Sequence, residues 1–181
     1  MIIINLQNLR KDKKMKSFKK IIALVTAVLV IASFAGCATA PQSQSDTVKI
    51  SDIKEKGMAN LCKQLNKDKL VPNEATDMQN EVIGAISGYR FTVELEGGNA
   101  LVELYEYDLD NLNETANRII SDVKENGTFN MLDISQNVEA ELSDNDKYLM
   151  IYNDSKSVGD NADKKHKEHR EKITKIFDKA E

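Results

Sequence analysis

The sequence predicts an α+β domain: an antiparallel sheet of four to five strands built from two hairpins, with helices packed mainly on one face. Three stretches carry that expectation. Residues 88–108, "GYRFTVELEGGNALVELYEYD", alternate apolar and polar side chains on either side of a glycine pair. Residues 110–126, "DNLNETANRIISDVKEN", space their apolar side chains for one face of a helix. Residues 138–154, "VEAELSDNDKYLMIYND", repeat the strand–turn–strand pattern ahead of a final charged helix.

Taken in order, residues 51–67 read as a helix: Ser51 is placed to cap it, and Ile53, Met58, Leu61, Cys62 and Leu65 share a face. Gly57 weakens that helix by up to about 1 kcal/mol. Pro72 ends it, and Glu74 to Glu81 suggests a short helical turn. Phe91, Val93 and Leu95 alternate with Thr92, Glu94 and Glu96, the period of a strand with one polar face. Gly97 and Gly98 supply the positive φ of a hairpin loop, and the return strand runs from Ala100 to Tyr107. Its Ala100, Val102 and Leu104 are expected inward and Glu103 outward.

The next helix presents Leu112, Ala116, Ile119, Ile120 and Val123, with Asp110 or Asn111 at its start and Gly127 after its end. Strands are expected at Phe129–Ile134, Val138–Leu142 and Tyr148–Tyr152. A polar loop covers Asp154–Ala162, and the last helix, Asp163 to Lys179, buries Ile173, Ile176, Phe177 and Ala180. "VELYEYD" and "YLMIYND" sit alike in the two halves, which leaves an internal duplication open.

The amino-terminal part is of another kind. Lys16, Lys19 and Lys20 precede an uncharged run, Ile21 to Gly36, that spans roughly 24 Å as a helix, short of the ~30 Å hydrocarbon core. Basic start, apolar middle and small-residue end make a signal peptide. Phe34-Ala35-Gly36-Cys37 resembles the lipobox of bacterial lipoproteins, with phenylalanine where leucine is usual. The resemblance implies cleavage before Cys37, a diacylglyceryl group on its thiol, and a mature chain held outside the cytoplasmic membrane. Two acyl chains anchor stably where one does not. Residues 1–36 are thus the expected signal peptide, with Met15 rather than Met1 as the expected start; residues 37–49 form a flexible polar tether; and residues 50–181 form a single domain.

The mature chain keeps 18 Lys/Arg against 28 Asp/Glu, a formal net of −10. That balance disfavours nucleic acid, and it is expected to keep the domain off anionic headgroups, so that only the lipid holds it at the membrane. With Cys37 lipidated, Cys62 has no disulfide partner and is expected to be buried beside Leu61 and Leu65.

Motifs for chemistry are weak. His166 and His169, three apart on a helix, lie among lysines and arginines and read as part of a solvated, salt-bridged face rather than a metal site. "YDLDNLNE" and "SDNDKY" lack the calcium-loop spacing, "EGGNA" is not a phosphate loop, and no Gly-x-Ser-x-Gly occurs. No cofactor is expected. Tyr89, Tyr105, Tyr107, Tyr148 and Tyr152 all fall on or beside strands. Strand propensity alone accounts for them, and an aromatic binding surface is the second reading.

The function expected by elimination is that of a lipid-anchored extracytoplasmic binding module. It would act on another envelope protein or peptide through an open sheet face or a sheet edge. An envelope hydrolase with an unrecognised carboxylate or metal site, and an immunity-like or inhibitory lipoprotein, are the alternatives.

Overall fold

A computed structural model describes residues 46–131, 137–159 and 162–181. The expected signal peptide, Cys37 and residues 37–45 of the tether lie outside them, as does the second half of the strand expected at 129–134.

The domain is α+β, with an antiparallel six-stranded sheet in the order β1-β2-β3-β4-β8-β7. The strands are β1 (Thr47–Lys49), β2 (Glu74–Asp77), β3 (Ser87–Leu95), β4 (Gly98–Glu106), β7 (Glu141–Leu142) and β8 (Tyr148–Asn153). A second, two-stranded ladder joins β5 (Thr128–Asn130) to β6 (Asn137–Glu139). Three helices complete the described residues: α1 (Lys56–Lys67), α2 (Glu114–Asn126) and α3 (Lys164–Phe177).

The first hairpin forms as expected, and the second forms only in part. β3 and β4 pair along their whole length, from Ser87 opposite Glu106 to Leu95 opposite Gly98, with Gly97 at φ 84° in the turn. The second hairpin is β7–β8. The two similar segments turn out to be neighbours: Glu103 pairs with Ile151, Leu104 with Met150 and Tyr105 with Leu149.

Alternation then decides the layers. Phe91, Val93, Ala100, Val102, Leu104, Tyr148, Met150 and Tyr152 face one way, against Met58, Leu61 and Leu65 of α1 and Ile173 and Phe177 of α3. Phe91, Val102, Leu104 and Met150 are fully buried there, each contributing roughly 1.5–3 kcal/mol. Tyr105, Tyr107 and Leu149 face the other way, under Ala116, Ile119, Ile120 and Val123 of α2. Two of the three helices thus share a face.

Several local expectations are corrected. Residues 47–49 of the expected tether form β1, and residues 74–77 form β2, because Thr47, Val48 and Lys49 pair with Thr76, Ala75 and Glu74; the helical turn expected over 74–81 is confined to a 3-10 turn at Asn80–Ile83. That pairing joins segments far apart in the chain, so no local pattern announces it. The segment expected as Val138–Leu142 is divided at Ala140, whose N–H donates to Gly127 O: β6 goes to the small ladder and β7 to the main sheet. Asn113, not Asp110 or Asn111, caps α2, accepting from Ala116 N at 2.8 Å. Gly127 at φ 66° closes that helix as expected.

The first helix starts later than Ser51. A 3-10 turn at Ile50–Asp52 buries Ile50, and α1 begins at Lys56. No side chain from its own N-cap residue satisfies its first N–H groups. A carboxylate from the sheet does so instead: buried Glu106 accepts from Met58 N at 3.1 Å and pairs with Lys147 Nζ at 3.0 Å. A negative charge at the first turn of a helix is favourable. Gly57, in that turn, makes room for it. A Cβ there would overlap Tyr148 Oη and stand 2.8 Å from Glu106 Oε1 and 2.9 Å from Lys147 Nζ.

Gly57 is therefore needed for close approach, and its cost to helix propensity is secondary. Gly57→Ala should lower stability by about 1–3 kcal/mol through overpacking, although alanine is the better helix former by up to about 1 kcal/mol. Urea denaturation reads the sign. A stabilised Gly57→Ala would show that the approach of Glu106 is not tight.

Candidate functional site

The tyrosines do not form an exposed surface. Tyr107 and Tyr148 are fully covered, and Tyr89, Tyr105 and Tyr152 are at least nine-tenths buried. They are also divided between the two sheet faces, Tyr89, Tyr148 and Tyr152 on one and Tyr105 and Tyr107 on the other. Strand alternation places them, and the helices then cover both sets. Tyr89 Oη donates to Glu55, Tyr105 Oη to Glu103 and Tyr148 Oη to the backbone O of Glu181. Burial raises the ionisation of all five above the ordinary tyrosine value.

The histidines are the larger correction. His166 and His169 are buried, not solvated, although lysines and glutamates surround them in sequence. Asp163 caps α3 by accepting from Lys165 N, and this sets the helix phase. Positions 166, 169, 173 and 177 then face the sheet together. His166 Nδ1 lies 2.8 Å from Asp154 Oδ2, and its Nε2 donates to the carbonyl of Glu96 at 3.1 Å. A carbonyl only accepts and a carboxylate favours a donor, so the imidazolium form fits best. The Glu96 carbonyl and then Asp154 raise the His166 pKa above 6.5, against the effect of burial.

His169 differs. Its Nε2 donates to the carbonyl of Leu70 at 2.9 Å, so Nδ1 accepts from Tyr152 Oη at 2.8 Å and the ring is neutral. Burial pulls its pKa below 6.5, against the pull of the Leu70 carbonyl. The pair ties α3 to two loops: Glu96 sits at the β3–β4 turn and Leu70 follows α1.

Chemically, this cluster is occupied by its own neighbours. Ser157, Asp154 and His166 bring together the residue types of a hydrolytic triad. Yet both His166 nitrogens are engaged, and Ser157 donates its hydroxyl to the Asp154 carbonyl at 2.8 Å. No nitrogen is left to take a serine proton. Cys62 is fully buried, with its thiol pushed up to about 12 by desolvation, so little thiolate forms. Among the described residues, no group of three or more ligating side chains is placed to hold a metal.

What the domain offers to a partner is part of its second sheet face. α2 covers the end of that face holding Tyr105, Tyr107 and Leu149. Beyond it, two cross-strand rows remain accessible among the described residues. Arg90, Glu103 and Ile151 form one, Thr92, Leu101 and Asn153 the other. Thr92 and Asn153 are exposed, Leu101 is a partly buried apolar side chain, and Ile151, also partly buried, packs against the cluster under α2 at the border of the patch. Arg90 pairs with Glu103 at 2.6 Å, which fixes one polar corner of the patch. Sequence reasoning anticipated an open sheet face, but not that it would be aliphatic and charged rather than aromatic.

No protein-family model matches the chain, and no curated protein or solved structure matches it at a significant level. A functional reading therefore rests on the residues themselves.

The histidine pair predicts a pH optimum of stability. His166 faces Asp154 and Asp163, and His169 faces Asp154, His166 and Lys172. The folded state binds the His166 proton more tightly than the unfolded state does. That contribution is complete below about pH 6.5 and is lost as pH rises through the folded value. The folded state holds His169 neutral, a contribution complete above about pH 6.5 and lost as pH falls below it. Denaturation midpoints taken from about pH 5 to about pH 8.5 should peak near the middle. His166→Gln should flatten the alkaline limb and His169→Gln the acid limb. Unchanged limbs in both variants would show that neither ring titrates differently on folding.

Proposed function

We propose that this chain is a lipid-anchored extracytoplasmic binding module. Its α+β domain, carried on the tether that follows Cys37, would engage another envelope protein or peptide. The sequence Phe34-Ala35-Gly36-Cys37, after a short apolar run with a basic start, supports the location. The observation that supports the binding reading is the part of the β3–β4–β8 face that α2 does not cover among the described residues, where partly buried Leu101 lies between exposed Thr92 and Asn153, beside the Arg90–Glu103 pair. Apolar side chains framed by satisfied polar ones suit a modest protein interface. The buried titratable groups, by contrast, are turned inward on one another.

Photo-crosslinking in intact cells tests the reading. A benzoylphenylalanine introduced at Thr92 or at Asn153 should capture one envelope protein, and the same probe at exposed Glu125 of α2 should not. Intact mass of the captured chain should start at a diacylglyceryl-modified Cys37. Equal capture from all three positions, or none, would remove the binding surface. An unmodified Cys37 thiol would remove the anchor.

A further inference from the structure

The net charge of −10 over residues 37–181 conceals a segregation that only the fold makes visible. Helices α1 and α3 carry nine of the 18 basic residues of positions 37–181 and two of the 28 acidic ones, a net of +7. The remaining residues hold nine basic against 26 acidic, a net of −17. Both helices lie on the same face of the sheet, packed against it and touching one another. Their outward surfaces therefore form one basic layer on an otherwise acidic domain.

The cations of that layer are free to act outward. Lys63, Lys67, Lys167, Lys172, Lys175 and Lys179 are exposed, and none is paired with a carboxylate among the described residues. Three of them, Lys172, Lys175 and Lys179, line a groove of about 620 Å³ between the helices, with Gln64, Leu70 and Ile176. Asp68 is the carboxylate in its lining. Lysines on a helical layer attract a plane of negative charge without needing a shaped pocket.

We propose that the α1–α3 layer docks on the anionic headgroups of the bilayer that holds the chain. The proposal rests on the anchored reading above and adds an orientation to it. With α1 and α3 against the bilayer, the uncovered part of the β3–β4–β8 face, on the opposite side of the sheet, points away from the membrane and toward a partner. The tether only confines the domain near the surface; the basic layer selects which way it faces.

The test uses the full chain. A fluorescent amino acid is placed at Gln64 of α1 or at Ser121 of α2, both exposed and on opposite sheet faces. Energy transfer is read to a headgroup-labelled lipid in phosphatidylcholine vesicles and in vesicles with about a third phosphatidylglycerol. Transfer from Gln64 should exceed that from Ser121 several-fold in the anionic vesicles only. The excess should vanish at about 0.5 M NaCl, where exposed charges are screened. It should also vanish in Lys63→Glu/Lys172→Glu/Lys175→Glu, whose surface positions leave the denaturation midpoint nearly unchanged. Equal transfer from the two positions in anionic vesicles would overturn the docking, as would binding to soluble polyphosphate with no dependence on the lipid. Flotation with neutral vesicles reads the anchor separately. If the chain fails to float there, the anchored reading falls, and the Gln64 signal on anionic vesicles still decides whether the layer docks.

Discussion

Strand β4 is hydrogen-bonded along both edges, to β3 over nine residue pairs and to β8 over six, and the rest of the domain follows from what its two faces require. Its even-numbered side chains, Ala100, Val102 and Leu104, are apolar and need complete cover. Its odd-numbered ones change character along the strand, from Leu101 and Glu103 to Tyr105, with Tyr107 just beyond. One face is accordingly closed by two helices, and among the described residues the other is closed mainly around the tyrosines. A strand with such a gradient on one side stabilises a half-covered sheet, and the uncovered half is what a partner meets.

Polar groups buried under the closed face act as fasteners between layers. Glu106 holds the start of α1, and Asp154 with His166, and Tyr152 with His169, hold α3 to the β3–β4 turn and to the loop after α1. At the far end Asp144 N donates to Asp178 O, and Asn145 Nδ2 to Ala180 O, so the β7–β8 turn grips the end of α3. Each bond joins separate elements, and at the buried Glu106, Asp154 and histidine sites losing one partner would leave the other buried and unsatisfied. The helices are thus fixed in rotation as well as position, and that fixity gathers their lysines outward into one layer.

Much of this was legible in the sequence where the signal was local. Period-two alternation located β3 and β4, the i, i+3, i+4 stripe located α2, and Gly97 and Gly127 took positive φ, whereas Gly98 joined β4 without it. Long-range signals were not legible. β1 and β2 exist because they pair with each other and β2 with β3, so residues 47–49 resembled a tether and residues 74–77 a turn. His166 and His169 looked solvated because the other seven residues from Lys164 to Lys172 are all charged, five of them cations; only the phase set by the Asp163 cap turns both inward. The tyrosines were visible as strand residues but not as buried ones, since covering them takes α1, α2 and α3 together. Net charge, read as one number, averages two opposed regions, and only the packing of α1 and α3 on one sheet face separates them.

The central claim is that the sheet is fully closed on one face and partly open on the other. Cysteines placed singly at Leu101 and Val102 of β4 test it most directly, because the two neighbours point to opposite faces and native Cys62 is fully buried. With a maleimide in native conditions, Leu101→Cys should react within about tenfold of an unfolded chain, and Val102→Cys should be protected by about a thousandfold or more. Comparable protection at both positions would mean that the second face is covered in the native protein, and the half-open sheet would have to be given up.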